Sequence, residues 1–231
     1  MRPTTATCLF VSLLLLAGAL SVPGVASGQG TISVPNAYGD YYFGKNKVQF
    51  ENFKWKIYHS PHFDIYYYTE DEELLQKVVS YAESAYDQLS QEFDFQIKKP
   101  TSLIFYETHA HFVQNNEISN FIPEGIGAFA TPVRFRMFLP VDMSDPELYE
   151  LILHELTHIF QYHMLFGGNL GKGIAGRPPV WVMEGMASYM EGEESARDKM
   201  FVRDAVVNDQ VPPITQAGVG GFFAYRFGYS V

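Results

Sequence analysis

The chain is organised around residues 144–166, SDPELYELILHELTHIFQYHMLF, which have the composition and the end signals of one long helix. Asp145 is placed to cap the first free backbone N–H groups, and Pro146 suits the first helical position. Gly167 follows as a natural stop. The apolar residues recur at helical spacing, which predicts that this helix is largely buried. They are Leu148, Leu151, Ile152, Leu156, Ile159 and Phe160.

This predicted helix contains an H-E-x-x-H motif, residues 154–158. Residues four apart on a helix lie one turn above each other, with Cβ atoms about 5–6 Å apart. His154 and His158 are therefore predicted to reach one zinc ion, at about 2.0–2.1 Å from each nitrogen. Glu155 lies close enough to hold a metal-bound water. A short motif can arise by chance, but these three polar residues in a buried apolar helix carry a heavy desolvation cost without such a partner.

A catalytic zinc takes three protein ligands and leaves one position for water. The only cysteine is Cys8, in the N-terminal segment, so the third ligand is expected to be a histidine or an acid. The H-E-x-x-H-x-x-G-x-x-H pattern is excluded, because Gln161 and Met164 stand at its last two positions. Glu184 is the preferred candidate, since it lies one turn into a second predicted helix, Val180–Glu191, among large apolar residues where an unpaired charge is costly. An ordinary surface glutamate is the alternative.

The remaining patterns predict an α+β fold, with a small mixed or antiparallel sheet and one packed helix ahead of the zinc-binding helices. Strands are predicted at residues 53–59, 62–69 and 101–107, and residues 127–139 are expected to form a strand pair or a bent edge strand. An amphipathic helix is predicted at 71–93, a loop at 109–116 and a short helix at 198–208. Three acids at the end of the second zinc-binding helix are interpreted as its solvated end: Glu191, Glu193 and Glu194.

Residues 1–28 are typical of a secretory signal peptide, with Arg2 before an apolar run and small residues at the cleavage site. A retained membrane anchor is the alternative, disfavoured because the apolar run is short for a span. Residues 29–52 show no period and are expected to be an irregular lead-in. With no second long apolar run, the sequence predicts an exported protein (periplasmic, cell-envelope or extracellular) without membrane insertion after signal removal.

The 231-residue chain is acidic, with a formal net charge of −10. This balance argues against nucleic acid and anionic lipid as partners. The last residues form an apolar and aromatic run, FFAYRFGYS, without a capping residue. We therefore expect the domain to be truncated at its C-terminal end.

Two spaced motifs resemble those of the gluzincin zinc metallopeptidases, and within them the peptidase MA-like domains of exported bacterial proteins. They are His154-Glu155-x-x-His158 and Pro179-x-Trp181-x-x-Glu184-Gly185. The resemblance covers residues 53–231, which are expected to form one zincin-like metallopeptidase domain. It also implies that a longer form of the protein could carry a C-terminal β-propeller.

The resemblance implies a role for each matching position. His154, His158 and Glu184 would bind one Zn²⁺, and Glu155 would act as general base and later as proton donor. A strand through Gly127, Ala128 and Phe129 would line the cleft and pair with the substrate backbone.

Two further positions follow from the same resemblance. The family often has an acid one turn after the third ligand, to orient an imidazole, where this chain has Ser188, whose hydroxyl can accept that hydrogen bond without a charge. Related peptidases stabilise the oxyanion with a downstream tyrosine or histidine, which points to Tyr225. An ordinary core tyrosine fits that aromatic segment equally well.

The sequence thus predicts a zinc-dependent endopeptidase-type hydrolase that cleaves peptide or protein substrates with a glutamate-activated, zinc-bound water. The alternative is a catalytically idle, zinc-stabilised binding or assembly module of a larger cell-envelope protein. Glu155 favours the enzyme, because a purely structural metal site needs no acid at that position.

Overall fold

The computed structural model describes residues 49–118, 122, 126–132, 134–167, 178–211, 213 and 228–229. The predicted signal peptide and most of the predicted lead-in, residues 29–48, lie outside this described part. Its five strands and five helices are, in chain order, β1 (Lys56–His59), β2 (Phe63–Tyr67), α1 (Glu72–Glu92), β3 (Thr101–Tyr106), α2 (His109–Phe112), β4 (Phe129–Thr131), β5 (Arg136–Pro140), α3 (Asp145–Phe166), α4 (Val180–Glu191) and α5 (Ala196–Val207).

The five strands form one mixed sheet in the order β1-β2-β3-β5-β4. The three central strands, β2, β3 and β5, run parallel to one another, and each edge strand is antiparallel to its neighbour. The predicted α+β class with a mixed sheet is confirmed. Strand β4 lies at the edge that contacts α3, so this edge is the one beside the H-E-x-x-H motif.

Side chains alternate between the two faces of the sheet, as the period of a β-strand requires. One face packs against α1 and α3 and forms the larger core. Its buried strand residues are Phe63, Ile65, Leu103, Phe105, Met137 and Leu139. The other face carries a smaller, aromatic core with α2. Helix α3 is therefore placed on the sheet by apolar burial along most of its length.

The N-cap of helix α3 lies one residue earlier than predicted. The N-cap is Ser144, not Asp145, and the backbone N–H and the hydroxyl of Ser144 donate to Glu147 at 3.0 and 2.7 Å. Asp145 is the first helical residue and accepts a hydrogen bond from Lys77 of α1 at 3.0 Å. At the other end Gly167 adopts a left-handed conformation, φ 51°, and ends the helix as expected.

The predicted loop at residues 109–116 contains one turn of helix, α2. Thr108 caps it by accepting the N–H of His111, at 3.2 Å. The ring of His111 contacts the Tyr68 hydroxyl at 2.8 Å, so this histidine contributes to the aromatic core. The one-turn helix was missed because four residues are too few to show a helical period.

The predicted strand pair at residues 127–139 is confirmed as β4 and β5. The turn between them holds Arg134 and Phe135 at positive φ, 69° and 50°. Helix α4 has the predicted bounds, and α5 begins two residues earlier than predicted because Ser195 caps it. In the described part of the chain, none of the helices combines the length and the apolar character that a membrane span requires.

Candidate metal centre

Three side chains from α3 and α4 converge on one point. The Nε2 atoms of His154 and His158 lie 3.2 Å apart. Glu184 Oε2 lies 3.4 Å from the first and 3.3 Å from the second. The two histidines are buried, and Glu184 is half-buried. Helices α3 and α4 pack against each other, so the donor set predicted from the sequence is brought together across their interface.

The spacing of the three donor atoms fits a small tetrahedral cation. Ligands bonded at about 2.0–2.1 Å in tetrahedral geometry lie about 3.3–3.4 Å from one another. The three separations here, 3.2, 3.3 and 3.4 Å, agree with that triangle. Glu184 Oε2 is buried and has no hydrogen-bond partner in the described residues, a costly state that a cation relieves. His154, His158 and Glu184 can therefore hold one metal ion.

Each imidazole is held by a second contact at its other nitrogen. His158 Nδ1 lies 2.9 Å from Gln161 Oε1, and the amide of Gln161 donates to the Met183 carbonyl at 3.0 Å. Because that donation turns the Gln161 oxygen towards the ring, the neutral imidazole of His158 carries its proton on Nδ1 and directs the lone pair of Nε2 at the point between the three donor atoms. Such contacts fix the tautomer and the ring orientation of metal-binding histidines.

His154 Nδ1 meets Glu191 Oε1, which corrects two interpretations of the sequence. Glu191 is not part of a solvated helix end, because its carboxylate is an ion-pair partner of the buried ring. Ser188 was expected to orient an imidazole, but Glu191 and Gln161 already occupy the two Nδ1 atoms. Seven residues make two helical turns, so Glu191 returns to the face of Glu184 and reaches the ring from there. Ser188 lines the neighbouring cleft.

The carboxylates around His154 control its protonation in the absence of metal. Burial lowers the pKa of His154, but Glu184 and Glu191 outweigh it and raise the pKa to about 10. Burial alone would raise the pKa of Glu184, but the two imidazoles that face it outweigh burial and lower this pKa to about 2. Without a metal ion, a proton on His154 stabilises the ionised carboxylates of Glu184 and Glu191. A proton and a metal ion therefore compete for the imidazole nitrogen.

Glu155 lies beside the donor set without being part of it. It is 5% exposed, and its Oε2 atom has no hydrogen-bond partner among the described residues. Burial raises the pKa of its carboxyl group. A buried acid at the wall of a cleft, with a raised pKa and one unpartnered oxygen, is suited to accept a proton and give it back.

His154, of the donor set, and the neighbouring Glu155 line a cleft of about 770 Å³, bordered by α3, the end of α4 and the segment before β4. Gly127 and Ala128 line this cleft, as the sequence predicts. Phe129 does not, because the register of β4 turns its ring to the opposite face, where it stacks on Phe138 with 4.9 Å between ring centroids. Only the backbone of Phe129, on the edge strand, therefore remains available for the predicted pairing with a substrate.

The predicted oxyanion donor, Tyr225, lies outside the described residues. A different tyrosine, Tyr229, lines the cleft, and its hydroxyl accepts the N–H of Glu194 at 3.1 Å and donates to the Gly192 carbonyl at 3.0 Å. It approaches α4 through a contact between two glycines. A Cβ atom on Gly185 would lie 2.3 Å from the backbone of Gly228, so neither position has room for a side chain.

Gln161, Glu191 and Tyr229 are the site residues that the sequence analysis missed. Gln161 follows His158 by three positions, and Glu191 follows Glu184 by seven, so each spacing was a usable sign of a shared helix face. Tyr229 carried no such sign, because its position depends on the glycine contact.

No protein-family model matches this chain, and no curated protein matches it either. The resemblance to gluzincins therefore stays a prediction carried by the two sequence motifs. The metal-binding donor set rests on its own geometry.

Proposed function

We propose that this protein is a zinc-dependent metallopeptidase that hydrolyses internal bonds of peptide or protein substrates. The observation that carries the proposal is the convergence of His154, His158 and Glu184, with the unpartnered Glu155 carboxylate beside them at a cleft. Two nitrogen donors, one oxygen donor and tetrahedral spacing favour zinc among the biological cations.

The chemistry divides between the ion and the chain. His154, His158 and Glu184 would hold a zinc ion, which would supply a lowered pKa for water and polarisation of a carbonyl oxygen. Glu155 takes the proton of the attacking water on Oε2, and then delivers it to the amine nitrogen that leaves. The burial that raises the pKa of Glu155 suits it to hold this proton between the two transfers.

The remaining residues position the substrate and the ligands. Among the described strands β4 lies at the edge of the sheet, where an extended peptide can add as a further strand, with Gly127 and Ala128 at the cleft wall. Gln161 and Glu191 keep the imidazoles aimed at the ion. Tyr225 remains the proposed oxyanion donor, and Tyr225→Phe is expected to lower kcat by about 10²-fold.

The setting of this activity is part of the same proposal. The signal-peptide pattern of residues 1–28 supports export, which places the enzyme in the periplasm, in the cell envelope or outside the cell. Zinc and water are both accessible there, and no cysteine in the mature chain competes for the metal.

The test is to compare wild type, Glu155→Gln and Glu184→Ala, measuring zinc content after dialysis and cleavage of a library of quenched fluorescent peptides. We expect stoichiometric zinc in the first two proteins and little in the third. Cleavage by Glu155→Gln is expected to fall by about 10²- to 10⁴-fold. Full zinc occupancy in Glu184→Ala would contradict the ligand assignment. Zinc in wild type and Glu155→Gln without cleavage by either would support the idle binding module.

A further inference from the structure

The walls of the cleft beside the candidate metal centre are acidic on both sides. Besides Glu155, its lining contains Glu147, Glu150, Glu191, Glu193, Glu194 and Asp198. No lysine or arginine is among the described lining residues. The cleft is therefore far more negative than the overall composition requires, since the chain has 16 basic against 26 acidic residues.

Some of these carboxylates already have local partners. Glu147 accepts hydrogen bonds from Ser144, Asp198 accepts one from the Ser195 hydroxyl at 2.6 Å, and Glu191 contacts the ring of His154. Glu150 and Glu193 differ from them, because both are exposed and neither makes a hydrogen bond or an ion pair with a described residue. These two are free to meet a charged ligand.

The acidic lining comes from two parts of the chain that border the same cleft. Glu147 and Glu150 precede His154 on α3, and seven residues of helix advance about 10 Å along the axis. Glu193 lines the same cleft from the segment after α4. The C-terminal end of α4 adds a partial negative charge there. An extended peptide covers about 10 Å with three residues, so its side chains pass both acidic walls within that distance.

The side chain of Glu155 is a second sign, separate from the acidic residues, that this cleft holds a ligand. Its Oε2 atom is buried and lacks a partner among the described residues, and Glu155 is one of the residues that line the cleft. A carboxylate in that state needs a reacting or bound group opposite it. The acids lie on either side of that point, so the charge of the cleft acts on whatever chain reaches Glu155.

We propose that the cleft selects a cationic peptide segment, with lysine or arginine side chains within about three residues of the bond that reaches Glu155. The cleavage of this segment rests on the proposed function. Its capture does not, because the attraction between Glu150 or Glu193 and a cationic side chain is independent of hydrolysis.

The first test uses three quenched peptides with one central sequence and flanks of three lysines, three glutamines or three glutamates. With zinc-loaded wild-type protein we expect kcat/KM to be about 10-fold higher for the lysine peptide than for the glutamine peptide at low salt. The glutamate peptide is expected to be the poorest substrate. The preference is expected to shrink towards 1 M salt, where the screening length falls to about 3 Å.

The second test removes the two unpartnered charges together. In Glu150→Gln/Glu193→Gln the ratio of kcat/KM for the lysine peptide over the glutamine peptide is expected to fall by about 3- to 10-fold. The matched control is Glu73→Gln/Glu92→Gln, which removes the same charge from exposed positions of α1 outside the cleft lining. It is expected to leave the ratio unchanged, and zinc content and circular dichroism verify both variants.

A binding measurement separates this inference from the proposed function. Zinc-loaded Glu155→Gln is titrated into fluorescein-labelled lysine and glutamine peptides, and anisotropy gives each Kd. If zinc-loaded wild type cleaves no peptide, but the lysine peptide binds Glu155→Gln more tightly and loses this advantage when Glu150→Gln/Glu193→Gln is added, hydrolysis is wrong and the cationic cleft stands. If cleavage occurs with equal efficiency for the lysine and glutamine peptides, or the double variant keeps the preference, the cationic cleft is wrong and the peptidase stands.

Discussion

Helices α3 and α4 supply the same candidate metal centre, but they are held in the protein by different means. Helix α3 is buried over most of its length, has a capping box at Ser144 and ends at a left-handed glycine. Helix α4 has only Gly185 and Ala187 fully buried, and it has no side-chain hydrogen bond at its N-cap. The two histidines of the donor set are thus positioned by the core, and Glu184 is positioned by a few specific contacts.

Two polar contacts between α4 and α3 pass through the candidate metal centre, beside the apolar packing of Ala187 and Met190. Gln161 joins His158 to the Met183 carbonyl, and Glu191 meets the ring of His154. Substitutions in α3 are therefore expected to lower mainly the free energy of unfolding, whereas substitutions in α4 are expected to lower mainly the metal affinity. The following predictions test that division, from the largest effect to the smallest.

The largest effect is expected from Leu156→Ala. Leu156 lies between the two histidines in the motif, with no exposed surface, and its truncation leaves a cavity between α3 and the sheet. We expect the free energy of unfolding, measured by urea denaturation, to fall by about 2–5 kcal/mol. Leu165→Ala is the matched control, because Leu165 is on the same helix but 44% exposed. Similar losses in both variants would contradict the assigned core.

Gly185→Ala is expected to displace the segment at residues 228–229 from α4. The added Cβ would lie 2.3 Å from the Gly228 backbone, which must move because it is not a flexible side chain. We expect a loss of about 1–3 kcal/mol in the free energy of unfolding, together with weaker zinc binding. Met186→Ala, at an exposed neighbouring position, serves as control. Unchanged urea midpoints for Gly185→Ala would show that the close approach is absent in solution.

Gln161→Ala and Glu191→Ala are expected to weaken zinc binding by about 10- to 100-fold each, because each frees one imidazole to rotate. Competition with a chelating dye measures the affinity. Urea midpoints of the metal-free proteins should change less than for Leu156→Ala. The conservative variants Gln161→Glu and Glu191→Asp keep an acceptor oxygen and are expected to recover part of the affinity. Ser188→Ala is the control, and an equal loss there would restore Ser188 as the orienting residue.

The smallest effect is expected in α1, the helix that packs against α3. Burial raises the pKa of Glu83, but hydrogen bonds from Ser60 and from the backbone and ring of His62 outweigh it and hold the pKa below its usual value. A lowered folded-state pKa means that this contact stabilises above about pH 4.5 and is lost as the pH falls through the folded value.

Because Glu83 is partly exposed, solvent screening limits the effect to less than about 1 kcal/mol. We expect Glu83→Gln to be less stable than wild type at pH 7 and to differ little from it at pH 3. Urea midpoints at the two values measure the difference, with Glu92→Gln as the exposed control. A constant gap between Glu83→Gln and wild type at both values would contradict the role of ionisation.

The sequence was most informative where a signal is local. Both ends of α4 and the stop of α3 at Gly167 follow from residues next to the boundary, and His154 and His158 follow from a spacing of four. The cap of α3 was misplaced by one residue because Ser144 and Asp145 are both good caps, although Ser144 with Glu147 three positions later is a capping-box pattern that the sequence already contains.

What the sequence could not provide depends on packing between distant elements. The direction of the Phe129 ring is set by the register of β4 on β5, since a shift of one residue reverses every side chain. The choice of Glu191 over Ser188 depends on how α4 lies against α3, which no pattern within α4 specifies. Tyr229 reaches the cleft only because two glycines approach each other closely.

The Gln161 amide has a mechanical consequence. Its oxygen faces the imidazole of His158, and its nitrogen holds the carbonyl of Met183, the residue before Glu184. Sliding α4 along α3 therefore rotates that ring, and turning the ring pulls on α4. We therefore expect capture of a cation and docking of the two helices to be coupled, which hydrogen exchange can test as slower exchange of the α4 amides when zinc is added.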